Sequence, residues 1–144
     1  MYLSKHFTLE ELIVSDYALR HSISNEPTGT ALLNLERLAE LLEKVRDVLG
    51  RPIFINSGYR SPEVNKGVKG QTTSQHCFGC AADIKVNGLT PDQIIKKILI
   101  SGIEFDQLIR EFDSWVHISI PNTPTDKPRK KVLIIDGMGT RIYS

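Results

Sequence analysis

The sequence predicts one α+β domain over residues 1–144, with a mostly antiparallel sheet and helices packed on one of its sides. Two observations carry that expectation. Helical periodicity is strongest before Gly50, whereas strand-like runs crowd the second half. Helices early and strands late favour separate layers sharing one core. No repeat, low-complexity tract or long linker divides the chain. A chain of this length buries roughly 70% of the surface it exposes when unfolded, enough for one core without staples.

The elements follow in order. Thr8-Leu9-Glu10-Glu11 is a capping box and opens a short helix carrying Leu12 and Ile13. Asn25 to Gly29 is a turn-rich link. Leu32, Leu35, Leu38, Leu42, Val45 and Leu49 then recur at helical steps, predicting a helix over Ala31 to Leu49 with one apolar stripe. Gly50 and Pro52 stop it. Ile53-Phe54-Ile55 is expected to be a short buried strand. Ser61-Pro62-Glu63 places a serine cap before proline at the first helical position, so a brief helix follows. Ala81 to Val86 reads as a strand, and Thr90-Pro91-Asp92 opens a helix that ends at Gly102. The remaining strand candidates are Phe105 to Phe112, Trp115 to Ile120, Val132 to Ile135 and Thr140 to Tyr143. Asp113-Ser114 is the expected turn between the first two.

Composition excludes several function classes. The formal net charge is +1 and charged residues make up 24%, without a basic stripe of the kind that tracks nucleic acid. Lys127-Pro128-Arg129-Lys130-Lys131 is short and interrupted by proline, as a solvated loop would be. No run approaches the ~18 apolar residues of a membrane span. Met1 to Glu10 lacks the apolar region of a secretory signal, so synthesis in the cytoplasm is expected, with another agent bringing the protein to any substrate outside. Oligomeric state is not legible.

The chemistry-bearing residues cluster in two places. In Ser74-Gln75-His76-Cys77-Phe78-Gly79-Cys80-Ala81-Ala82-Asp83, a glycine-containing loop enters a strand, bringing a histidine and an aspartate toward one point. An aspartate flanked by Ala82 and Ile84 is set for burial, and a buried carboxylate needs a cation. In Trp115-Val116-His117-Ile118-Ser119, strand alternation puts His117 on the face opposite Val116 and Ile118. Taken alone, His117 reads as a strand histidine hydrogen-bonded in the core or at the sheet edge. Two imidazoles and one carboxylate with a fourth position left to water would instead be a catalytic zinc site, and His-x6-Asp is by itself a weak pattern. His6 and His21 have no telling partner and read as surface or capping residues. Cys77 and Cys80 form a C-x-x-C without a second pair. The plain reading is two small structural residues; metal-adjacent thiols and a redox pair are the alternatives.

The string S-x-H-x-x-G-x-A-x-D from Ser74 to Asp83, followed by Trp115-Val116-His117, resembles the zinc peptidases of the D-alanyl-D-alanine carboxypeptidase family. That family belongs to a wider group with the lysostaphin-type enzymes and the hedgehog domain. Ser57-Gly58-Tyr59-Arg60 matches the S-G-Y-R segment upstream of the first ligand, and Asn65 fits as well. The likeness runs from about Phe7 to Ile120. It implies one zinc ion on His76, Asp83 and His117, with Arg60 gripping substrate and steadying charge near the scissile carbonyl. Ser74 shapes the loop and is a candidate for substrate contact. For the general base the resemblance is divided. In the D-Ala-D-Ala dipeptidases it lies three positions before the last histidine, where this chain has Ser114. In the hedgehog domain it lies six before, at Glu111. Glu111 is favoured over Asp113, which has a turn to make. An Asp113-Ser114 turn would set Glu111 opposite Val116. The implied substrate is the stem or cross-bridge peptide of peptidoglycan, cut as carboxypeptidase or endopeptidase, and the compact size suggests a phage or prophage lysis enzyme. The competing expectation is a non-catalytic zinc module that uses the same cleft for docking.

Overall fold

The computed structural model describes residues 1–144. Its elements are α1 (Leu9–Ile13), α2 (Asp16–His21), α3 (Thr30–Leu49), β1 (Phe54–Ser57), α4 (Pro62–Gly67), β2 (Ala81–Lys85), α5 (Pro91–Ser101), β3 (Gln107–Glu111), β4 (Trp115–Ser119), β5 (Lys131–Asp136) and β6 (Gly139–Ile142), with a 3-10 turn at Gln75–Phe78. The result is a small α+β domain around one mixed sheet of order β1-β2-β4-β3-β5-β6. Only β3 and β5 run parallel; the other neighbours are antiparallel.

Local chemistry accounts for the helix ends. Thr8 caps α1 by accepting from the Glu11 amide while Glu11 reaches back to the Thr8 amide. Thr90 and Gln93 repeat that box at α5, with Pro91 at the first turn. The helix α2 was not legible beforehand, since its apolar pattern is too short to read. Ser15 caps it, and Ser22 closes it in the left-handed region. His21 stacks on Tyr17 within it, and His6 binds the Glu43 carboxylate of α3 at 2.7 Å.

One face of the sheet carries the core. Leu35, Leu38, Leu42 and Val45 of α3 and Ile94, Ile95 and Ile98 of α5 pack against Ala82, Ile84, Leu108, Val116 and Ile118. Each fully buried leucine or isoleucine contributes about 1.5–3 kcal/mol of transfer energy. Strand alternation sends the intervening residues Asp83, Ile109, Glu111, Trp115 and His117 to the opposite face.

Two expectations need correction. The strand at Ile53-Phe54-Ile55 is displaced to Phe54–Ser57, and it is an edge strand with Phe54 71% exposed. The β3–β4 connection turns through Phe112, Asp113 and Ser114, so Glu111 pairs with Trp115 rather than Val116. Phe112 and Asp113 both take positive φ, +52° and +48°, and the Ser114 amide donates to the Glu111 carbonyl. Because a one-residue slip moves a side chain to the other face, this register puts Glu111 on the same side as His117.

Candidate metal centre

Four segments build the centre, and each is fixed by its own backbone. The β2–β4 pairing sets Asp83 directly opposite His117. His76 sits in the 3-10 turn, where Ser74 Oγ accepts from the His76 amide and Gly79, at φ +74°, closes the turn. A Cβ at Gly79 would lie 2.5 Å from the Ala31 carbonyl oxygen of α3, so only glycine lets the turn press against that helix. The Ser57–Arg60 segment runs alongside. Gly58 passes so close to α1 that a Cβ would meet the Leu12 carbonyl at 2.3 Å. Tyr59 is buried and donates its amide to that same carbonyl, and the Arg60 amide donates to the His76 carbonyl. Asn25 clamps this segment by donating to the Ile13 and Tyr59 carbonyls and accepting from the Ser61 amide.

The ligand atoms of His76, Asp83 and His117 all lie within 4.8 Å of one another and could hold a metal ion. Asp83 Oδ1 is 3.4 Å from His76 Nε2 and 3.0 Å from His117 Nδ1. His76 Nδ1 is 2.7 Å from the Gly58 carbonyl, an acceptor, so that nitrogen carries the proton. In a neutral ring Nε2 is then a bare lone pair facing a carboxylate oxygen. Two acceptors aimed at each other require a cation between them, and a histidine whose outer N–H is tied to a carbonyl is the usual way to aim a metal ligand. The donor set of two imidazoles and one carboxylate suits zinc. Burial works to raise the Asp83 carboxyl, but the bond with His117 and the two imidazoles converging on it outweigh that and hold the group well below the usual carboxylate range.

The centre lies in a cleft of about 860 Å³ lined almost wholly by polar residues. Glu111 joins it: Oε1 is 3.9 Å from His117 Nδ1, and Oε2 accepts from the Trp115 indole N–H at 3.1 Å. Burial and then the negative charge of Asp83 raise the Glu111 carboxyl above its ordinary value, against smaller opposing effects of His117, Trp115 and Arg60. Asp113, the other candidate, is 76% exposed, turns toward Arg110 and does not line the cleft. Arg60 lines it with no carboxylate partner; Nη2 reaches Ser74 Oγ at 3.4 Å, and Nε is buried without any acceptor. Asn65 stands behind, fastening the following loop through the Gln71 carbonyl.

One hub escaped sequence reading. Asp106, 4% exposed at its side chain, accepts from the Arg129 amide, Nε and Nη2 and from the Gln75 amide group. It thereby ties the loop before β5 to the turn that carries His76. The basic cluster at 127–131 is therefore only partly a solvated loop, because Lys127 and Arg129 line the cleft. Burial opposes ionisation of Asp106, but the Arg129 bonds prevail and lower its carboxyl below the usual value. A depressed native value stabilises the fold above the unfolded value of about 3.9, and that stability is lost as pH falls through the native value. Asp106→Asn is accordingly expected to cost about 1–2 kcal/mol at neutral pH, because the half-exposed Arg129 stays solvated when its partner is lost. Urea titration as a function of pH checks this: the variant should lose part of the fall in stability that the parent shows below about pH 4, the remainder belonging to Asp83 and the other lowered carboxylates.

Cys77 and Cys80 are free thiols, neither belonging to the three-residue group. Burial raises both, Cys80 to about 11, which suppresses the thiolate that redox chemistry needs.

Comparison with known families settles the lineage, since a family model described as Peptidase M15 matches residues 5–119. The chain belongs to the peptidase M15 family. A search of curated proteins gave no significant match. As an M15 peptidase the chain is a zinc-dependent metallopeptidase of the kind that acts on peptidoglycan, and its His76, Asp83 and His117 form a group able to hold the metal. The matched span of this M15 peptidase takes in both chemistry-bearing segments and ends at the last residue of β4. No helix of this peptidase is long and apolar enough to cross a membrane.

Proposed function

We propose that the protein hydrolyses a peptide bond in the stem or cross-bridge peptides of peptidoglycan, as a D-Ala-D-Ala carboxypeptidase or stem-peptide endopeptidase. The single observation that carries this reading is Glu111 Oε1 at 3.9 Å from His117 Nδ1, beside three converging ligand atoms. His76, Asp83 and His117 are the zinc ligands. When bound, zinc supplies Lewis acidity, polarising the scissile carbonyl and easing the deprotonation of water. Glu111 accepts the proton of the attacking water at Oε1 and returns it to the departing nitrogen. Its raised affinity for protons suits a group that must both take and give one. Arg60, held without an acidic partner, offers its guanidinium to a substrate carboxylate or to the negative charge that develops at the carbonyl oxygen. Ser74 aims Arg60 and lines the same wall. Use as a phage or prophage lysis enzyme, delivered to the wall from the cell that makes it, is the setting we favour.

Purified peptidoglycan digested with and without a chelator, with fragments identified by mass spectrometry, tests the reading. Release at one peptide bond, lost on chelation and restored by zinc, is expected. No release under any metal condition would instead support a docking module.

A further inference from the structure

Trp115 is the only tryptophan in the chain, and its placement has a use that the reaction itself does not require. The indole ring lies half-buried beside Glu111, with Nε1–H donated to Oε2 at 3.1 Å. The partner oxygen Oε1 is the one turned to His117. A carboxylate with a free terminal torsion would exchange its two oxygens, so an anchored Oε2 fixes which oxygen faces the centre. The Phe112 ring packs on the indole at a centroid distance of 5.7 Å. It does so from a backbone at φ +52°, a region that costs an L residue about 1–2 kcal/mol. Backbone strain of this kind clusters at active sites and persists only where the surroundings hold it.

We propose that Trp115 is a positioning residue: its indole N–H holds Oε2 of Glu111, leaving Oε1 toward the metal side, and the Phe112 ring braces the indole from the strained turn. This rests on Glu111 being the base. A hydrogen bond to a charged group has the strength to set the orientation, and its loss would let the carboxylate rotate away from the water it must deprotonate. Binding of substrate does not use this bond, so kcat alone should feel it.

Two experiments test the proposal, one of them without turnover. In metal-free protein the single indole N–H gives one cross-peak in an amide correlation spectrum. Glu111→Ala should move that peak upfield and speed its exchange with solvent; an unmoved peak overturns the proposal. With zinc-loaded protein, Trp115→Phe should lower kcat about 10- to 100-fold, leaving KM, zinc content and melting temperature near those of the parent. In a Glu111→Ala background the same Trp115→Phe should add nothing, because the two act as one unit. Equal losses in both backgrounds would make the tryptophan merely structural and sink the idea. If Glu111→Ala itself retains full turnover, the base assignment has failed instead, which is a separate result.

Discussion

Asp83→Asn is expected to abolish zinc binding and hydrolysis together. The carboxylate is the only anionic member of the ligand group, and its oxygen is the atom both imidazoles approach. An amide oxygen in its place keeps shape but supplies no charge to offset the cation. The loss should show in stability as well as in rate. A ligand that binds only the folded state at a thousand times its Kd stabilises by about 4 kcal/mol, which raises the melting temperature of a chain this size by roughly 10 °C. Thermal scans with and without zinc should show that rise for the parent and none for Asp83→Asn. A variant that still carries one equivalent of zinc by metal analysis would remove Asp83 from the ligand set.

Glu111→Gln should lower kcat by about 10²- to 10⁴-fold while retaining zinc. Glutamine preserves the size of the side chain and still accepts from the Trp115 indole, so what disappears is the capacity to take a proton. Asp113→Asn is the control, since its carboxylate is exposed and directed to Arg110; it should leave kcat within about twofold, as surface substitutions usually do. Steady-state kinetics on released peptide fragments would decide between them. The opposite ranking would transfer the base to Asp113.

Much of the fold was legible because its signals are local. The capping residues Thr8, Ser61 and Thr90 mark three helix starts, and the leucine stripe marks α3 to within a residue. The grouping of His76, Asp83 and His117 was legible as a motif, but not as a distance, because it depends on strands far apart in sequence pairing in register. The β3–β4 turn was misjudged by one residue, since nothing in Phe112-Asp113-Ser114 announces two left-handed residues where one is a phenylalanine. The parallel β3–β5 pair and the Asp106 hub escaped for a related reason. They join the segment at 105–111 to the chain beyond Thr123, and no periodicity encodes that meeting. The Gly58 carbonyl that orients His76 carries no side-chain signature at all.

The pairing of β2 with β4 has a consequence for how the protein comes into being. His117 follows Asp83 by 34 positions, so a nascent chain lacks the complete ion-binding group until β4 has emerged and docked. A strand docked one residue out of step would point the second imidazole into the packed layer beneath α3 and α5. The ion then rewards only the correctly assembled sheet, and its uptake marks the end of maturation rather than its beginning.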